Sequence, residues 1–206
     1  MIKALIFDIG EVVVNYDFKH LFFQLAEQLN MPIDAVHEYV QTHKEAMLLG
    51  DISLEKFFSD IEILSPKARA ISTKQLWLDH AMPLVEINTE LVKMIEVLRK
   101  TYTVGTLTNL TFSRKIIDQQ LNLYSHFDFM LLSCDVHLKK PDPRFFQLAI
   151  ETAKVNPSEI VYIDDNKTYI EAAKDVGMNV IHYTYKDNSG LKLKLKVLGV
   201  DLPELG

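Results

Sequence analysis

The opening segment of the chain constrains its fold most. Residues 2–7 (IKALIF) form an unbroken apolar run that ends at Asp8. Such a short run, rich in branched and aromatic side chains, reads as a buried strand. Four further runs follow: YTVGTL at 102–107, FDFMLL at 127–132, EIVYI at 159–163 and NVIHY at 179–183. Helical spacing fills the intervals. Leu91, Met94, Ile95 and Leu98 share one face of 89–99, and Ile116, Ile117, Gln120 and Leu121 group in 113–123. Pro143 opens a helix over 143–153 with Phe146, Leu148, Ala149 and Ile150 inside it. The 166–176 segment carries Ile170, Ala173 and Val176 and stops at Gly177. Strands alternating with helices predict an α/β fold, a parallel sheet with helices on both faces.

No single crossover helix follows the first strand. Residues 18–80 hold only helical patterns, with stripes at Phe18, Leu21, Phe22, Leu25 and Leu29, at Val36, Tyr39, Val40 and Met47, and at Leu54, Phe57, Phe58 and Ile61. A weaker helix is expected over 66–79, and Pro32, Gly50, Pro66 and Pro83 punctuate the set. The reading is a helical cap at 15–84 inserted into a core made of 1–14 and 85–206. A length of 206 residues suits one domain plus such an insertion. The lysine-rich end, 186–196, is expected to form a short helix from near Ser189.

Composition removes several function classes. Twenty-two basic against 28 acidic residues give a net charge of −6, which disfavours nucleic acid as a partner. Cys134 is alone, so no intrachain disulfide forms, and no Cys/His cluster has zinc spacing. No apolar run approaches the ~18 residues of a membrane span. The early charge in MIKALIFDIG argues against a signal peptide. The expectation is a soluble, cytoplasmic protein with no membrane partner.

In open parallel sheets, ligands bind beyond the carboxyl ends of the strands. Asp8, the pair Thr108–Asn109, Lys140 of KKPDP, and the pair Asp164–Asp165 all fall at or just after such ends. Clustered carboxylates repel and need a cation at neutral pH. Hard oxygen ligands that can share phosphate oxygens suit Mg²⁺. A carboxylate can attack phosphorus, a lysine can hold a phosphate oxygen, and a hydroxyl with a neighbouring backbone N–H can bind another. Taken singly, each feature also reads as a turn, a helix cap or a solvated loop residue. Their recurrence in order at strand ends favours phosphoryl transfer.

Together the segments IKALIFDIGEVVVNYD (2–17), VGTLTN (104–109), LKKPDPRFFQLAI (138–150) and VYIDDNKTYIEAAKDVGMNVIHY (161–183) resemble the haloacid dehalogenase-like hydrolase superfamily. The resemblance implies a Rossmann-like core with a C1-type helical cap, as in subfamily I. It implies that Asp8 is the nucleophile and that Thr108, with Asn109, binds the transferring phosphoryl group. Lys140 takes the place of the third-motif lysine. Asp8, Asp165 and the main-chain carbonyl of Gly10 would hold Mg²⁺, with Asp164 acting through water.

One position departs from that pattern. Phosphatases of the family usually place a second Asp, the general acid/base, two residues after the nucleophile. Gly10 stands there, within a DxG pattern resembling sugar-phosphate phosphatases. Loss of a positioned acid/base costs roughly 10²–10⁴-fold in rate. Glu11, water or the substrate's own phosphate are the substitutes weighed, and a sharp turn after the strand is the ordinary reason for glycine. Other residues receive plainer readings. His137, where many relatives have Gly, is taken as a surface residue, Tyr169 as packing and Cys134 as a small buried residue. Asn15, Tyr16, Asp17, His20 and Gln24 are the insertion residues expected nearest the cleft. The leading expectation is a Mg²⁺-dependent hydrolase that removes phosphate from a small phosphorylated metabolite, such as a sugar phosphate, through an aspartyl-phosphate. The alternatives are an impaired phosphate-binding or interaction protein and a metal-independent 2-haloacid dehalogenase.

Overall fold

A computed structural model describes residues 1–65 and 73–202. The chain opens with β1 (Ala4–Phe7) and β2 (Val14–Tyr16). Four helices follow: α1 (Phe18–Gln28), α2 (Ile33–Leu48), α3 (Leu54–Leu64) and α4 (Thr73–Ala81). Then come β3 (Val85–Ile87), α5 (Thr89–Leu98), β4 (Thr103–Thr108), α6 (Phe112–Gln120), β5 (Phe129–Leu132) and the one-turn α7 (Ser133–Val136). The chain continues through α8 (Pro143–Ala153), β6 (Ile160–Asp164), α9 (Lys167–Asp175), β7 (Asn179–His182) and α10 (Asn188–Val197). The first part of the helix expected over 66–79 lies outside the described residues. Among them, no helix is long and apolar enough to cross a membrane.

Five of the described strands form one parallel sheet in the order β5-β4-β1-β6-β7. This is the α/β parallel sheet expected from the alternation, and the Rossmann-like core that the family resemblance implied. Side chains along a strand point to opposite faces in turn, so β1 divides its burial between two layers. Leu5 and Phe7 join Leu91, Met94, Ile95 and Leu98 of α5 on one face. Ala4 and Ile6 join Phe145, Phe146 and Ala149 of α8 and Ala173 of α9 on the other. With both faces covered, a continuous apolar strand is the stable solution.

The helices α1–α4 gather around their own apolar cluster, which includes Leu21, Leu25, Phe57, Phe58, Ile61 and Trp77 and reaches Ile117 of α6. Phe57 and Trp77 meet edge to face at 5.2 Å. Trp77 Nε1 donates to the Ser113 carbonyl at 2.9 Å, tying α4 to the start of α6. Gly50 supplies a second anchor. Its φ is +76°, and a Cβ there would lie 2.0 Å from the Cys134 carbonyl, so only glycine lets this turn reach α7. The segments entering and leaving α1–α4 pair as an antiparallel ribbon, Val14 opposite Ile87 and Tyr16 opposite Val85. Three-residue strands carry too little alternation to be read from sequence. Gln120, expected on the apolar face of its helix, is exposed.

Candidate functional site

Sheet register brings the sequence-distant carboxylates together. Phe7 lies opposite Ile163 and Thr106, so Asp8 and Asp164 emerge side by side where β1 and β6 end. The Asp8 N–H donates to the Ile163 carbonyl at 2.9 Å, and Thr106 Oγ1 donates to the Phe7 carbonyl at 2.8 Å, fixing β1 from both sides. Thr108 is the buried last residue of β4. One ligand oxygen each from Asp8, Asp164 and Asp165 lie within 4.8 Å of one another. Lys140, fully buried, reaches into this group, with Nζ 2.7 Å from Asp164 Oδ2 and 3.1 Å from Asp8 Oδ1.

A reciprocal pair of loop hydrogen bonds places the lysine. Asn109 Nδ2 donates to the Lys140 carbonyl at 2.9 Å, and the Lys140 N–H donates to Asn109 Oδ1 at 2.7 Å. One turn away, the Leu110 N–H donates to Ser133 Oγ at 2.8 Å. The side-chain amide of Asn109 is therefore committed to holding the Lys140 loop. Tyr169 does more than pack its helix. Its hydroxyl accepts from Asn109 Nδ2 at 3.3 Å, and its ring faces the Lys140 ammonium at 4.8 Å.

The electrostatics of this group are unbalanced, with three carboxylates to one ammonium. Burial opposes the Lys140 charge, yet Asp8 and Asp164 overcome it and hold the ammonium above its ordinary range. Asp164 is pushed up to about 6, because burial and Asp8 outweigh the attraction of Lys140. Asp165 is raised as well, by burial first and then by Asp8. A buried anionic excess of this kind takes up either a proton or a cation. The set of hard carboxylate oxygens fits Mg²⁺. The two acids of the tandem differ in their other contacts. Asp164 accepts from Lys140 and the Tyr162 hydroxyl through Oδ2 and from the Asn166 N–H through Oδ1. Asp165 is only half-buried.

Beside this group sits a second one that sequence reasoning missed. Arg114 of α6 lies against the Tyr16 ring, its Cζ 4.1 Å from the centroid. Asp118, one turn further along α6 and fully buried, accepts hydrogen bonds from the Tyr16 hydroxyl and, at 3.1 Å, from the Tyr124 hydroxyl. Burial raises the Asp118 carboxyl despite the opposing pull of Arg114. In sequence Arg114 resembles any basic residue on an amphipathic helix. The one signal for it was the glycine at position 10.

That glycine has a reason other than the expected turn. The residue with left-handed backbone is Glu11, at φ 55°, and it is exposed. A Cβ on Gly10 would lie 2.5 Å from Arg114 Nη2, 3.3 Å from Cζ and 3.4 Å from Nη1. His137 also has left-handed backbone, at φ 56°, a conformation that favours glycine. Of the insertion residues expected near the cleft, Asp17 is exposed and caps α1 by accepting from the His20 N–H at 3.0 Å. His20 is exposed, and Asn15 and Gln24 are half-buried. Cys134 is buried as expected.

A cavity of about 370 Å³ opens between the inserted helices and the sheet. Asn109, Thr111 and Arg114 line it from the sheet side, and Phe22, Met47 and Trp77 from the helices.

The family model described as haloacid dehalogenase-like hydrolase matches residues 2–177. The chain belongs to this family. As a haloacid dehalogenase-like hydrolase it is 27% identical over 191 residues to the D-ribitol-5-phosphate phosphatase of Bacteroides thetaiotaomicron, covering 86% of this chain and 89% of that one. It is also 33% identical over 131 residues to the bifunctional epoxide hydrolase 2 of Rattus norvegicus, covering 60% of this chain and 23% of the relative. The match thus spans under a quarter of that relative's length. Among solved structures, a HAD family enzyme of B. thetaiotaomicron, in complex with magnesium and inorganic phosphate, superposes with a TM-score of 0.75 at 22% identity, covering 93% of this hydrolase and 99% of that chain. The 2-haloacid dehalogenase of Pseudomonas syringae superposes with a TM-score of 0.66 at 24% identity, covering 89% and 86%. At these identities both likenesses concern the fold.

Proposed function

We propose that this hydrolase is a Mg²⁺-dependent phosphoric monoester hydrolase for a small phosphorylated metabolite, working through an aspartyl-phosphate on Asp8. The carrying observation is the convergence of Asp8, Asp164 and Asp165 around the buried Lys140 at the carboxyl edge of a parallel sheet. The phosphatase relatives support the same reading and do not favour a non-catalytic protein. The acidic pair disfavours the metal-independent dehalogenase.

Asp8, Asp165 and the Gly10 carbonyl would hold Mg²⁺, with Asp164 through water. When bound, the ion offsets negative charge on the carboxylates and on substrate phosphate. The Asp8 carboxylate attacks phosphorus, and water later cleaves the acyl-phosphate. The Thr108 hydroxyl and the Asn109 backbone N–H bind phosphoryl oxygens, while Lys140 holds Asp8 in place and offsets charge on the transferring group. The inserted helices act as a C1-type cap that covers the rest of the substrate and limits water.

The test is phosphate release from a panel of sugar phosphates and other small monoesters, with and without Mg²⁺. Turnover should require Mg²⁺ and fall by more than roughly 10⁴-fold in Asp8→Asn, as expected for loss of a nucleophile. Retained turnover in that variant, or none by folded wild-type protein on any ester, contradicts the proposal.

A further inference from the structure

Gly10 stands where relatives carry their acid/base, and something specific fills the space. The three short distances from a Gly10 Cβ all run to the Arg114 guanidinium. A side chain at position 10 and Arg114 in its present place exclude each other. Arg114 is also firmly placed, with the Tyr16 ring at 4.1 Å and buried Asp118 on the next turn of its helix. It lines the cavity beneath the inserted helices together with Asn109, the neighbour of Thr108. The guanidinium therefore lies between the nucleophile's strand end and the space left for the non-phosphate part of a substrate.

We propose that Arg114 binds the leaving-group side of the substrate and stabilises the departing oxygen as an anion, in place of a proton donor. This rests on the monoester hydrolase reading above. A guanidinium stays charged at any working pH, so it contributes electrostatics and hydrogen bonds but no proton. In the first step an Asp8 oxygen bonds to phosphorus. The phosphorus–oxygen bond to the leaving group breaks, and its electron pair departs on that oxygen, facing Arg114. The alkoxide or phenolate takes a proton from water after release. In the second step water attacks phosphorus and the bond to Asp8 breaks. Both water hydrogens leave on the phosphate, and the carboxylate is restored. Without a donated proton, departure is fast only for a stable anion. The substrate class is then a phosphate on an oxygen of low basicity: phenolic, enolic, anomeric or acyl, or a phosphoanhydride.

The experiment is kcat/KM with Mg²⁺ across nitrophenyl, phenyl and alkyl phosphates, with melting temperatures for every variant. Wild type should decline steeply as the leaving group becomes more basic. Arg114→Met should lose roughly 10²-fold, the scale of one lost oxyanion donor. Arg114→Lys keeps a cation against Asp118 and Tyr16 but not the fork over Gly10. It should lose roughly 10-fold and carries the test where the Met variant fails to fold. Gly10→Asp alone displaces the guanidinium tip from its present place and should lose rate on nitrophenyl phosphate, as the Arg114 variants do. Gly10→Asp with Arg114→Ala should show a flatter profile, gaining on alkyl relative to nitrophenyl esters. A flat wild-type profile, or wild-type rates in either folded Arg114 variant, overturns the assignment while leaving the hydrolase reading intact. Wild-type protein that cleaves no ester overturns both.

Discussion

Two buried ionic clusters lie side by side in this protein and are built on opposite principles. Around Lys140, three carboxylates face one ammonium. Around Asp118, one carboxylate faces one guanidinium, with two tyrosine hydroxyls completing its hydrogen bonds. The second cluster is balanced by its own side chains and holds Arg114 still. The first lacks positive charge, which a bound cation would supply before an anionic phosphoryl group could enter. Burial alone thus says little about role; residual negative charge marks where a cation is needed, and balanced charge marks a side chain held in a fixed place.

That contrast can be broken by experiment. The largest effect on folding is expected from Lys140→Met, which leaves Asp8 and Asp164 facing each other without their cation. Stability of the metal-free protein should drop by about 3–5 kcal/mol in urea unfolding, and Mg²⁺ should restore part of it. An unchanged midpoint would mean that the carboxylates do not repel as described.

Next in size is a pH effect. Asp164 has an ordinary unfolded value of 3.8 and about 6 in the fold. Between these, the native state holds a proton that the unfolded state has released. The associated stability is full below about pH 4 and lost as pH rises through about 6, some 2–3 kcal/mol in the metal-free protein. Comparing wild type with Asp164→Asn by urea unfolding from pH 4 to 7 isolates this group. Wild type should fall relative to the variant as pH rises, and parallel curves would refute it. The smallest change is expected from Tyr124→Phe, which removes one hydrogen bond to Asp118 and should cost about 1 kcal/mol. The loss should be the same with and without Mg²⁺. A Mg²⁺-dependent loss would merge the two clusters into one.

The sheet and the convergence of most of the candidate site residues are legible because strand ends carry a local signature. Asp8, Thr108 and the Asp164–Asp165 pair each terminate an apolar run, and parallel pairing leaves few ways to arrange such ends. The depth of Lys140 was not legible, since a lysine before proline looks solvated until its partners are known. Arg114 was hidden for a related reason. Its contacts with Gly10 and Tyr16 span about a hundred residues, and the helical period of 113–123 registers only apolar faces. The Val14–Tyr16 and Val85–Ile87 ribbon was too short to show a period, and Tyr169 looked like packing because its phenol acts on Asn109, sixty residues away.

The same ribbon has a consequence for how such a protein can diversify. Because the chain leaves and re-enters at paired positions, Tyr16 beside Val85, the entry and exit of the inserted helices are held at one place, while Trp77 and the Gly50 turn tie those helices to α6 and α7. Changes in those helices that keep the three ties would leave Asp8 where the pairing of β1 with β4 and β6 sets it.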